Sequence, residues 1–172
     1  RLFKSRMKNP WIRVVVGALL VIVLAKVLGT TDYLGAGMNI VERAIHGETE
    51  PAAFLLKIIF TAITLSCGFK GGEIVPTLFV GATFGCLFGQ VTGLSPSLTA
   101  ACGMAAVFCG VTNSPISSLL LSFELFGFEG VAFYLIAVSI SYAASGYYGL
   151  YKEQTILYSK YKAKFVNRKT RT

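Results

Sequence analysis

The hexapeptide Gly71-Gly-Glu-Ile-Val-Pro76 carries the residue types best suited to chemistry in this chain. Two adjacent glycines let the backbone turn tightly without a Cβ clash. Pro76 fits inside a first helical turn, where its missing N–H is not needed. The spacing therefore predicts a helix that starts near Glu73, with the unpartnered first-turn N–H groups of Glu73 and Ile74 directed out of its end. Such groups, together with the helix dipole, form a site for an anion. An ordinary glycine hinge before a helix has the same spacing, so both readings stand on these six residues.

Other chemistries find little support. Cys67, Cys86, Cys102 and Cys109 lie in apolar, helix-like stretches and form no C-x-x-C pair. The chain has one His. A zinc site is not expected, and the four thiols read as small buried hydrophobes. There is no nucleophile triad, phosphate loop or metal-ligand cluster, so neither an enzyme nor a cofactor is expected. Glu124 lies in an apolar run, and an acid inside a membrane segment is by default a functional candidate.

The composition says what kind of elements must position these residues. Of 172 residues, 54% are hydrophobic and 14% charged, against roughly 25% charged in soluble domains. Mean hydropathy is +0.65. The apolar residues come in long blocks, which predicts membrane-embedded helices. The net charge of +8 belongs mainly to two acid-free flanks. One holds Arg1, Lys4, Arg6, Lys8 and Arg13; the other holds Lys160, Lys162, Lys164, Arg168, Lys169 and Arg171. The positive-inside rule makes both cytoplasmic. No basic stripe is interleaved with aromatics, so nucleic acid is not an expected partner. The chain begins without Met, which suits a piece of something longer.

Proline and glycine punctuate the apolar blocks. A first helix is predicted over 11–28, opened by Pro10 and closed by Gly29, with Arg13 and Lys26 snorkelling near its ends. A short helix follows the Gly35 turn, and near-spanning helices are predicted over 51–67 and 73–89. Gly81, Ala82, Gly85 and Gly89 recur at the spacing of close helix contact. A shorter helix covers 98–111. Ser114 and Pro115 then supply an N-cap and an N1 residue for a helix ending at Gly127. Another covers 130–146, and a last helix is predicted from Thr155 into the basic tail. Several are too short to cross a bilayer alone, as in transporters whose half-helices aim their ends at a midplane site.

Four blocks in order carry a family resemblance. Gly71-Gly-Glu-Ile-Val-Pro-Thr-Leu-Phe-Val-Gly-Ala82 resembles the G-x-F-x-P anion-site motif of the CLC chloride channels and anion/proton antiporters. Leu34-Gly-Ala-Gly-Met-Asn-Ile40 resembles the glycine-rich turn before it. The run from Gly103 to Glu124 resembles the family's GMAA…RAPLTG…LE block, and Ile156-Leu-Tyr-Ser159 the segment with the pore tyrosine. The resemblance implies an all-α, polytopic fold with tilted and broken helices, the carboxy-terminal half of an inverted-repeat transporter. It implies a basic flank over 1–9, a transmembrane domain over 10–164 and a basic tail over 165–172.

It also implies residue roles. The backbone N–H groups of Glu73 and Ile74 bind the anion, within a motif that includes Gly71, Gly72, Val75 and Pro76. The Tyr158 hydroxyl reaches it from the intracellular side, and Glu124 is a buried structural carboxylate. Implied partners are a halide, protons, the lipid bilayer and a second copy, met through the helices over 115–127 and 130–146. The implied location is the inner membrane, with both ends of the chain cytoplasmic. The family's gating-glutamate, serine and intracellular proton-glutamate motifs belong to an amino-terminal half, and no acid here takes those roles.

One position departs from the pattern. Ile74 stands where the motif has Phe, and Glu73 stands where chloride-type members have an apolar residue. An acid there resembles the fluoride-exporting, proton-coupled branch. A carboxylate beside an anion repels it unless it takes up a proton, which would couple the two. Alternatively Glu73 faces water or pairs with Lys70. The residue pattern puts chloride first and fluoride second. A non-transporting membrane scaffold is the alternative of another class.

Overall fold

The computed structural model describes residues 9–151 and 153–170. The expectations placed on Arg1, Lys4, Arg6, Lys8 and Arg171 lie outside these residues. Seven helices come first: α1 (Pro10–Leu28), α2 (Met38–Ile45), α3 (Ala53–Ser66), α4 (Ile74–Thr92), α5 (Pro96–Thr112), α6 (Pro115–Phe126) and α7 (Val131–Ala144). Two strands follow, β1 (Thr155–Tyr158) and β2 (Phe165–Lys169). α1 and α4 are long and apolar enough to cross a membrane; α3, α5, α6 and α7 are shorter apolar helices.

The helix limits follow from local chemistry. The Asn9 side chain accepts from the Trp11 N–H at 3.1 Å and Pro10 fills N1. Gly29, Gly93 and Asn113 end α1, α4 and α5 in the left-handed conformation, which spares glycine the Cβ penalty and is open to Asn. Ser114 stands at the N-cap of α6 but does not cap it. Its hydroxyl donates instead to the Thr112 carbonyl at 3.2 Å.

The centre of the fold is the crossing of α4 and α5. A Cβ on Gly81 would lie 2.7 Å from the Gly103 carbonyl oxygen, and one on Gly103 or Gly85 would collide with backbone of the facing helix. The small-residue spacing therefore does what it predicted: it brings two backbones together where lipid gives no hydrophobic drive to associate. Around this crossing, α2 and α3 pack on α4, and α6 and α7 pack on α5. Tyr33, Phe60, Phe79 and Met104 belong to the larger buried cluster, and Cys109 and Val138 to a smaller one between α5 and α7.

The last predicted helix is a two-stranded antiparallel hairpin instead, pairing Thr155 with Lys169, Ile156 with Arg168 and Tyr158 with Phe165. The step from the second pair to the third leaves an extra residue on β2, and Asn167 there has φ +43°, as in a bulge. A helix here would have stacked Lys160, Lys164 and Arg168 at i, i+4 spacing, where like charges destabilise. The hairpin separates them. Arg168 lies over the Tyr147 ring at 5.1 Å. Lys160 tucks under the ends of α5 and α7, donating to the Tyr142 carbonyl at 2.9 Å, to Ser145 Oγ at 2.8 Å and to Asn113 Oδ1. Burial pushes its ammonium below the ordinary lysine range. Residues 165–169, expected as tail, are thus strand.

Candidate anion site

The segment from Gly68 to Glu73 bridges two helix ends. α3 finishes at Ser66, and Gly68 turns the chain at φ +98°. Arg13 closes this end: its Nε donates to the Cys67 carbonyl at 3.2 Å. Arg13 therefore does not snorkel away from α1. It folds inward because helix-end carbonyls lack partners and attract a cation.

α4 begins at Ile74 with Glu73 at its N-cap. The Thr77 N–H and hydroxyl both donate to the Glu73 carbonyl, at 3.2 Å and 2.6 Å. This fixes the first turn and leaves the N–H groups of Glu73, Ile74 and Val75 without intrahelical acceptors. Pro76 contributes none to miss. The glycines work differently from the sequence expectation. Neither Gly71 nor Gly72 has a positive φ, and a Cβ on either would meet nothing within 4 Å. They keep the approach to the helix end open rather than permitting a strained turn.

Gly71, Gly72, Val75 and Pro76 line a cavity of about 580 Å³ walled by α1, α3 and the 33–36 loop. Glu73 and Ile74 are not part of this lining. Glu73 is exposed and Ile74 half-buried. Among the described residues Glu73 makes no ion pair with Lys70; the one ion pair is Lys169 with Glu153.

Two residues the sequence reading passed over belong to this cavity. Lys57 of α3 is 1% exposed. Its Nζ donates to the carbonyls of Gly35 at 2.7 Å, Ala36 at 3.3 Å and Tyr33 at 3.4 Å, and lies 4.7 Å from the centroid of the Phe79 ring. A single lysine in the middle of the apolar run 53–66 was the available signal. Tyr33 is the second. It is 3% exposed, and its hydroxyl donates to Glu50 Oε2 at 2.9 Å. Burial, then the bond to Glu50, raises it to about 12.

Two sequence-predicted residues lie elsewhere. Glu124 is exposed, not buried. α6 turns Ser118 and Ser122 inward, where their hydroxyls bond to the carbonyls four residues back at 2.7 Å and 2.8 Å. Glu124, two residues past Ser122, falls on the opposite face. Tyr158 is 67% exposed on β1, its ring edge-on to Phe165 with centroids 5.7 Å apart, and is not among the cavity-lining residues. Cys67, Cys86 and Cys109 are buried, and Cys102 is partly so.

A family model described as voltage gated chloride channel matches residues 1–146. The hairpin lies beyond that match. A chloride/fluoride channel protein from Pseudomonas syringae pv. tomato is 34% identical over 151 residues, covering 84% of this chain and 33% of the relative. An H(+)/Cl(-) exchange transporter from Vibrio cholerae is 27% identical over 105 residues, covering 55% of this chain and 22% of the relative. The crystal structure of a CLC-type fluoride/proton antiporter superposes with a TM-score of 0.82 at 33% identity, covering 88% of this chain and 38% of that one. The chain thus spans about a third of the length of the first of these relatives.

Proposed function

The chain belongs to the voltage gated chloride channel family, whose members are integral membrane proteins, and on that premise we propose that it supplies the carboxy-terminal part of a pathway for a small halide anion. The anion is held at the start of α4, on the N–H groups of Glu73 and Ile74. The observation that carries this reading is the open approach to that helix end, beside a cavity walled by Gly71, Gly72, Val75 and Pro76. Helix N-termini favour anions through both dipole and free donors. The site binds and passes an ion and transforms no substrate.

Glu73 shifts the proposal from chloride towards fluoride exchanged for protons. Its carboxylate is exposed at the mouth of the helix, where it repels an anion when ionised and admits one when protonated. The relative at 34% identity carries both chloride and fluoride in its description, and the solved structure at 33% identity carries fluoride and protons. Tyr158 has no hydroxyl partner among the described residues, which leaves that donor free for an anion in the complete protein. Ile116, Leu120, Phe133, Ile136 and Ile140 are exposed on α6 and α7, in keeping with a second copy or lipid against these helices. The proposed setting is the inner membrane, with both chain ends cytoplasmic.

Efflux from liposomes holding the complete protein tests the reading, with fluoride and chloride electrodes and a pH electrode recorded together. Fluoride efflux matched by proton uptake is the expected result. Efflux of neither halide above empty vesicles would overturn it and leave a membrane scaffold.

A further inference from the structure

Lys57 is the largest fully buried side chain, and the anion-binding reading does not use it. An ammonium has three N–H donors. Here all three are aimed at backbone carbonyls of the 33–36 loop, and the remaining face rests on Phe79. Among the described residues no carboxylate lies within ion-pair distance of it. Three carbonyl acceptors favour the ammonium over the neutral amine, which has one N–H fewer, while burying the charge without a counter-charge is costly. The same residue forms part of the cavity wall together with Gly71, Gly72, Val75 and Pro76.

Resting on the anion reading above, we propose that Lys57 is the fixed counter-charge of this cavity, a positioning residue that draws the anion without touching it. Its donors are already committed to carbonyls, so it acts through its field and not through a hydrogen bond to the ion. The low dielectric around it makes that field reach further than a surface lysine's. The carbonyl clamp holds the charge in one place, so little reorganisation accompanies ion entry.

The test uses the complete protein, with sodium fluoride and sodium chloride titrated calorimetrically into wild type, Lys57→Met, Lys57→Gln and Lys57→Arg. A buried unit charge acting across a cavity at an effective dielectric of about 20 is worth on the order of tenfold in affinity. Both neutral variants are expected to bind anion about tenfold more weakly, and Lys57→Arg to recover most of the loss. Lys57→Gln keeps a donor for the Gly35 carbonyl, so it serves where Lys57→Met does not fold. A clamp with no electrostatic role would alter melting and leave the anion affinity of the folded neutral variants unchanged. Affinity within about twofold of wild type in a folded neutral variant, or no recovery in Lys57→Arg, would overturn the proposal. Absence of anion binding in wild type would instead overturn the anion reading itself.

Discussion

The Tyr33 hydroxyl donates to Glu50 Oε2 at 2.9 Å and ties the loop after α1 to the start of α3, beside the carbonyls that hold Lys57. Tyr33 is buried against Phe60 and Phe79, with ring centroids 6.1 Å and 6.3 Å away. Loop and helix are therefore joined by one aromatic packing unit and two polar links.

The Tyr33 pair has an alkaline signature. Its folded pKa of about 12 stands above the ordinary 10.0. A raised pKa means that the folded state holds the proton longer. Its contribution to stability is full below pH 10.0 and is lost as pH rises through about 12. The melting difference between wild type and Tyr33→Phe should be constant up to pH 10.0 and shrink above it. Tyrosinate absorbance should show a late-titrating component that the variant lacks. A difference that grows between those limits would contradict the assignment.

Glu73→Gln separates coupling from decoration. If the carboxylate takes up protons during exchange, the amide abolishes proton uptake or halts turnover in liposomes. A surface acid would contribute only about 0–1 kcal/mol through any exposed pairing, and transport would persist. Loss of coupling is the expected outcome. An unchanged proton-to-anion ratio would remove Glu73 from the mechanism.

Tyr158 and Tyr161 form a matched pair of tests on one hairpin. The Tyr161 hydroxyl donates to the Ala143 carbonyl at 2.6 Å. Tyr161→Phe should lower stability by about 0.5–1.5 kcal/mol and leave anion affinity alone. Tyr158→Phe in the complete protein should leave stability nearly intact, since its ring contact with Phe165 survives. It should weaken anion binding by roughly three- to a hundredfold, the worth of a hydrogen bond to a charged group or a little less. Equal calorimetric affinities for wild type and Tyr158→Phe would take this tyrosine out of the site.

Gly103→Ala should be among the most damaging small substitutions. The added methyl would meet the backbone of Gly81 and Gly85, which no rotamer can move. Overpacking of this kind costs about 1–3 kcal/mol. Gly93→Ala is a useful comparison: its φ of +75° strains any side chain, but nothing lies within 4 Å. Detergent melting should place Gly103→Ala below wild type, with α4 and α5 the first helices to lose protection in hydrogen exchange. A melting point unchanged by Gly103→Ala would mean that the two helices do not cross where described.

The seven helices were legible because Pro10, Pro115, Gly29 and Gly127 bound uninterrupted apolar runs. The close crossing was legible because only small residues at that spacing serve it. The hairpin was not. The run Ile156-Leu-Tyr158 is too short to carry a period, and the cost of stacking Lys160, Lys164 and Arg168 becomes plain only once a helix is drawn through them. Sequence also located the start of α4 but misread the purpose of Gly71 and Gly72, because an open approach and a strained turn ask for the same residue. What Arg13 and Lys57 bind was out of reach for another reason. Their partners, Cys67 and the 33–36 loop, stand 54 and 22 or so residues away, and those partners are backbone carbonyls, which leave no mark in a sequence.

Mechanically, the glycine crossing of α4 and α5 is a strut. Where two backbones touch there are few side-chain torsions to absorb a small displacement, and close-packed interiors transmit strain. A tilt that opens or closes the α4 end near Glu73 is passed to α5 as nearly the same rotation. The two helices run antiparallel, so the end of α5 on the Glu73 side is its last turn, where Asn113 is bonded to Lys160 and through it to α7. Movement at the ion's side of the molecule is thereby passed to the hairpin across the neighbouring helix end, through the backbone contact and not through any single bond.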